Sequence, residues 1–110
     1  MSVAVLEICP GRGRELRLEG GVVIGRARGC EVKLDDPLVS RRHARVVSGE
    51  LGTALEDLGS ANGIYVNGRR RAGITPLHPG DVIQIGGTVW LVVRPPDSQP
   101  LGAIDREPTA

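Results

Sequence analysis

Apolar residues along this chain come in short runs, most of them alternating with polar ones, and each run is closed by a turn-forming residue. Val3 to Ile8 ends at Pro10-Gly11-Arg12-Gly13. Arg14 to Leu18 alternates until Gly20-Gly21. Val22 to Ile24 stops at Gly25, and Glu31 to Leu34 stops before Asp35-Asp36-Pro37. Ala44 to Val47 closes at Ser48-Gly49, and Thr53 to Leu58 at Gly59. Ile64 to Val66 leads into Asn67-Gly68, the strongest two-residue hairpin signal. Val82 to Ile85 ends at Gly86-Gly87, and Val89 to Val93 follows. A period of two predicts half-buried strands, and strands at roughly 8–12-residue spacing predict an all-β sandwich or barrel. No window of helical length keeps a 3.6-residue period free of glycine.

Two connections are not plain hairpins. Asp35 to His43 and Gly59 to Gly63 are polar and lie between core strands, where loops on a rigid scaffold commonly carry binding function. From Pro95 onward the composition shifts to PPDSQPLGAIDREPTA, with four prolines and few apolar groups. That composition predicts a folded domain over residues 1–94 and a flexible tail or linker over 95–110.

The chain has 110 residues, enough for one domain. Aromatics are only Trp90 and Tyr65, so the core must be aliphatic and bases have no stacking platform. The net charge of +1 argues against nucleic-acid binding through bulk charge. Without the three acids and one arginine of the tail, residues 1–94 carry +3, which makes the predicted domain mildly basic.

Several chemistries are missing. No G-x-x-x-x-G-K-[ST] loop is present, and Leu16 stands where a dinucleotide fingerprint opened by Gly11 and Gly13 needs its third glycine. Ser40, His43 and Asp57 make a hydrolase-like set only on paper, since no G-x-S-x-G elbow presents the serine. His78 lies in the turn His78-Pro79-Gly80-Asp81 and reads as solvated. Cys9 and Cys30 fit no metal or redox spacing, so a cofactor and a metal are not expected. No stretch approaches the roughly 18 apolar residues of a membrane span, and the first ten residues lack the basic start of a signal peptide. The expectation is a soluble, cytoplasmic, non-catalytic protein with reduced thiols.

Three segments remain: Gly25-Arg26, then Ser40-Arg41-Arg42-His43, then Asp57 through Gly68, which reads DLGSANGIYVNG. Singly, each has a plain reading as a strand end, a turn or a hairpin. In this order, followed by Gly80-Asp81-Val82-Ile83-Gln84-Ile85-Gly86, they resemble the forkhead-associated (FHA) domain. The resemblance covers roughly residues 3–94. It implies an eleven-stranded SMAD/FHA-like β-sandwich with ligand loops at one end. The implied function is binding of phosphothreonine in partner proteins, downstream of a Ser/Thr kinase.

The physics of such a ligand suits these residues. Phosphothreonine carries about −1.5 to −2 charge at pH 7 and three acceptor oxygens, so its binder needs convergent donors. Arg26 offers a fixed fork of N–H groups, and Ser40 offers a hydroxyl. The resemblance adds the backbone amides of Arg41 and Ala61, a contact from Ser60, and Asn62 bonding the peptide main chain. It assigns support to Gly25, His43, Asp57, Gly63 and Asn67. His43 would tie the Ser40 loop to its neighbour, and Gly25 would turn the chain so that Arg26 points into the loops. Gly63 would hold a conformation that a Cβ disfavours. Ile64 and Ala61 depart from the family pattern, which often has Thr, and Thr or Ser, there. Ala61 keeps its N–H but weakens a contact that helps tell phosphothreonine from phosphoserine. Arg28, Arg41, Arg42 and Arg69 to Arg71 either add a positive field near the loops or are simply solvated. The other reading to be kept is a phospho-independent scaffold that uses the sheet surface. Thr109 in the tail is a possible phosphorylation site.

Overall fold

The computed structural model describes residues 2–11, 13–50 and 52–93. The predicted tail, with Thr109, lies outside the described residues. Eleven strands form two sheets, and no helix occurs among the described residues. The six-stranded sheet runs, in spatial order, Arg14–Glu19 (β2), Ser2–Cys9 (β1), Thr88–Val93 (β11), Val82–Ile85 (β10), Ile64–Val66 (β7) and Arg69–Arg71 (β8). The five-stranded sheet runs Val32–Lys33 (β4), Val23–Gly25 (β3), Ala44–Gly49 (β5), Gly52–Asp57 (β6) and Ile74–Pro76 (β9). Every pairing is antiparallel except β3 with β4.

Alternation explains the packing. Along β10, Ile83 and Ile85 are buried while Val82 and Gln84 face out; along β11, Thr88, Trp90 and Val92 point inward. With Val5, Leu18, Ile24, Val46, Leu55 and Ile64 they form one aliphatic core around Trp90. A fully buried side chain of this kind stabilises the fold by about 1.5–3 kcal/mol relative to leaving it in water.

Nine strands follow the apolar runs. The other two, β8 and β9, are edge strands that the pattern did not predict. Arg69, Arg70 and Arg71 are all exposed and pair only with β7; Ile74–Pro76 pairs only with β6. Three arginines along an open edge discourage pairing with another chain. The turn between β7 and β8 is the predicted Asn67-Gly68, both at positive φ (54° and 82°), as a tight hairpin turn of this kind requires.

The topology gathers the functional segments. The end of β3, the β4–β5 connection, the β6–β7 connection and the β10–β11 turn are joined to one another by hydrogen bonds, detailed below.

Candidate functional site

Gly25 ends β3, and its backbone lies against the chain at Arg41. A Cβ placed there would stand 2.2 Å from the Arg41 carbonyl oxygen. Gly25 is therefore required for a close approach of two main chains, and its φ is not in the left-handed region. This corrects the expected reason, a turn that redirects Arg26. The approach seats Arg26 beside the β4–β5 connection. Its backbone N–H donates to the Ser40 carbonyl at 3.0 Å, and its Nε donates to the Val39 carbonyl at 2.9 Å. The guanidinium is thus fixed through Nε, and its two Nη groups are the donors left for a ligand.

His43 is fully buried and bonds in both directions. Its Nδ1 accepts the Ser40 N–H at 3.0 Å, and its Nε2 donates to the Gly63 carbonyl at 2.8 Å. Those partners select the neutral tautomer protonated on Nε2. The His43 main chain adds its own ties, donating to Ile24 and accepting from Leu58.

The β6–β7 connection is held from within. Asp57 Oδ1 accepts the Ser60 N–H at 2.9 Å, and Ser60 Oγ accepts the Gly63 N–H at 3.0 Å. These two bonds curl residues 57–63 so that Ala61 and Asn62 protrude, both exposed. Gly63 sits at φ 81°, and a Cβ there would meet Arg70 Nε at 2.3 Å. Two further bonds cross to the β4–β5 connection. The Ala61 N–H donates to Ser40 Oγ at 3.1 Å, and Asn62 Nδ2 donates to the Leu38 carbonyl at 2.8 Å.

Arg26, Ser40, Arg41, Ala61 and Asn62 are thereby gathered at one end of the sandwich, with His43, Asp57, Gly25 and Gly63 behind them. Ser60 is placed differently from its expected contact role. It is buried, and its hydroxyl closes the loop on Gly63. Asn67 is not part of the cluster. Its side chain donates to Asp81 and accepts from the Val82 N–H, so it joins the β7–β8 turn to the start of β10.

Sequence reasoning left one participant unresolved and missed another. Arg70 Nη2 reaches the Ala61 carbonyl at 3.4 Å, laying a cation across the Ala61–Gly63 main chain. Nothing in an all-arginine strand singles out its middle member, except that alternation across β8 separates it from Arg69 and Arg71. Asp36 is the other; its carboxylate accepts the N–H groups of Leu38 and Gly87. The Asp-x-Leu spacing of a local turn was available as a signal for the first bond, but none existed for the second.

Both signs of charge line this end, Arg26 and Lys33 against Asp35 and Asp36. The ion pairs among the described residues are Arg14–Glu7, Lys33–Asp35, Arg45–Glu56 and His78–Asp81, and none involves Arg26, Arg41 or Arg70. Asp36 is held below the usual aspartate range by its bonds from Leu38 and then Gly87. Glu31 is lowered chiefly by the Val23 N–H. An open cleft of about 600 Å³ lies beside Arg26, lined also by Lys33, Asp35, Asp36 and Pro37. Convergent N–H and O–H donors around an arginine fork, without a positioned nucleophile and base, can hold an anion; Ser40 Oγ makes no bond to His43.

Known proteins share this fold. The family model of the FHA domain matches residues 22–86. An ABC transporter ATP-binding/permease protein of Mycobacterium tuberculosis is 42% identical over 77 residues, 70% of this chain and 9% of that protein. The chain spans less than half the length of the curated relatives it matches. A solved structure from structural and functional work on phosphothreonine-dependent FHA domain interactions superposes with a TM-score of 0.75 at 34% identity, covering 87% of this chain and 99% of that one. Mycobacterium tuberculosis EmbR in complex with a low-affinity phosphopeptide gives a TM-score of 0.76 at 28% identity, over 90% of this chain and 26% of that one. With its paired sheets, its joined loops and the family match over residues 22–86, this chain belongs to the FHA domain family.

Proposed function

We propose that this chain binds phosphothreonine segments of partner proteins at the loop end built around Arg26, Ser40 and Asn62, and that it carries out no reaction there. The observation that carries the reading is the convergence of these three side chains, from three separate connections, on the main chain of residues 38–40 and on Ala61. The arginine Nη groups and the Ser40 hydroxyl proton are directed to phosphate oxygens, with the Arg41 amide as a further donor, while the Ala61 amide is spent on Ser40 Oγ. Ser40 Oγ already accepts from Ala61, so its own proton is free to be donated. Asn62 spends its Nδ2 on Leu38 and keeps its carbonyl for a peptide N–H.

Two related structures support the ligand class, one from work on phosphothreonine-dependent FHA domain interactions and the other EmbR holding a phosphopeptide. The partner is accordingly a product of a Ser/Thr kinase, and the meeting place of the two is the cytoplasm. The test is fluorescence anisotropy with labelled peptide libraries carrying phosphothreonine, phosphoserine or unmodified threonine. Phosphothreonine peptides bind best on this reading. Equal binding of phosphorylated and unmodified peptides removes it.

A further inference from the structure

The segment that presents the donors is anchored by the buried Val39 side chain and, on its polar side, by Asp36. Asp36 Oδ1 accepts the Leu38 N–H at 2.9 Å, and its Oδ2 accepts the Gly87 N–H at 2.7 Å, 51 positions away in sequence. The first bond shapes a local turn. The second joins the β4–β5 connection to the β10–β11 turn in the other sheet, which a local turn does not need. Immediately beyond this clip, the main chain supplies three acceptors in a row. The Leu38 carbonyl receives Asn62 Nδ2, the Val39 carbonyl receives Arg26 Nε, and the Ser40 carbonyl receives the Arg26 N–H. Gly86 fits the same picture. It stands at φ 60°, and a Cβ there would lie 2.8 Å from both Asp36 Oδ2 and Val39 Cγ2. The β10–β11 turn closes on the loop with no room for a side chain.

We propose that Asp36 is the positioning residue of the phosphothreonine site: its carboxylate fixes the 38–40 main chain, so that Arg26, Ser40 and Asn62 stand ready together before the ligand arrives. The inference rests on the function proposed above. A connection anchored by Val39 alone would sample more conformations, and ordering it on binding would cost affinity. Only a carboxylate satisfies both amides. Alanine accepts neither, and asparagine offers one acceptor while turning an NH2 toward the other N–H.

The test compares wild type, Asp36→Asn and Asp36→Ala on one fluorescein-labelled phosphothreonine peptide drawn from a degenerate library, with its unmodified twin as reference. Both variants are expected to bind about tenfold or more weakly, because preorganisation is lost, while still unfolding in a single transition above the assay temperature. In an Arg26→Lys background the same Asp36→Asn change is expected to cost clearly less than in wild type, since the share of the positioning that acts through the Arg26 Nε bond is already gone and only the Ser40 and Asn62 shares remain. Variants within twofold of wild type overturn the proposal, as does a full, additive cost in the Arg26→Lys background. Wild-type protein provides a check that does not depend on folding of the variants. On acidification the Leu38 and Gly87 amide protons are expected to shift together through one carboxylate titration. The other ionisable groups lining the adjoining clefts are Arg26, Lys33 and Asp35 and, from the β1–β2 side, Glu7 and Arg14. Separate titrations of the two amides overturn the clip. If wild type fails to prefer the phosphorylated peptide, the functional reading falls and this inference with it. If wild type prefers it and Asp36→Asn does too, with unchanged affinity, only the role of Asp36 falls.

Discussion

His43 donates from Nε2 to the carbonyl of Gly63 at 2.8 Å, a bond between buried groups 20 positions apart in sequence. The same ring accepts the Ser40 N–H on its other nitrogen. One neutral imidazole thereby sets the distance between the loop that carries Ser40 and the loop that carries Asn62. It faces inward and makes its bonds to main chain, so it acts by spacing the two loops.

Replacing His43 by alanine leaves the Ser40 N–H and the Gly63 carbonyl unpaired and opens a cavity in the core. The cost expected for one buried and one half-buried group left unpaired, together with a large-to-small change, is about 3–5 kcal/mol. Urea denaturation measures the loss. In the intact protein, nitrogen NMR is expected to show the Nε2-protonated tautomer.

The glycines separate by surroundings. Gly25→Ala drives a Cβ into the Arg41 carbonyl, and an overpacked backbone contact of this kind costs about 3 kcal/mol or more. Gly29→Ala meets nothing within 4 Å and has no positive φ, so its effect is expected within about 0.5 kcal/mol. Equal melting temperatures for the two variants would contradict the close approach at Gly25.

Ser60→Ala removes the acceptor for the Gly63 N–H in a buried position. The expected cost is about 1–3 kcal/mol of stability. If Ser60 touched phosphate instead, the variant would unfold like wild type and lose only affinity. Denaturation and peptide binding measured on the same sample decide between these.

Two pH windows follow from different groups. Phosphate has its second pKa near about 6, so affinity is expected to fall as pH drops through that value and the ligand loses charge. Asp36 and Glu31 are held below their ordinary values of 3.8 and 4.5 by backbone donors. A depressed carboxylate contributes stability that is complete above its ordinary pKa and is lost as pH falls through the folded one. Their contribution therefore begins to decline only as pH falls below about 4.5 for Glu31 and 3.8 for Asp36, and thermal melts taken downward from about pH 5 measure it.

The strands built on alternation were legible because a period of two buries one face, as Ile83 and Ile85 show. Edge strands β8 and β9 were not, since an edge needs no apolar face and Arg69 to Arg71 has none. Arg26, Ser40 and Asn62 could be picked out because their spacing carries a pattern. Asp36 could not, because its second partner is Gly87, 51 positions on, and only the fold brings them together. The role of Ser60 was hidden for the same kind of reason. A serine hydroxyl suits a ligand and a loop equally well, and burial alone tells which it serves.

The central claim is that Arg26 holds the phosphate. Calorimetry with a phosphothreonine peptide and its unmodified twin, on wild type, Arg26→Ala and Arg26→Lys, tests it most directly. The expected result is a loss of about 1.5–3 kcal/mol for Arg26→Ala, with lysine recovering only part because a point charge does not reproduce the fork. A folded Arg26→Ala variant that binds the phosphopeptide as wild type does would contradict the account.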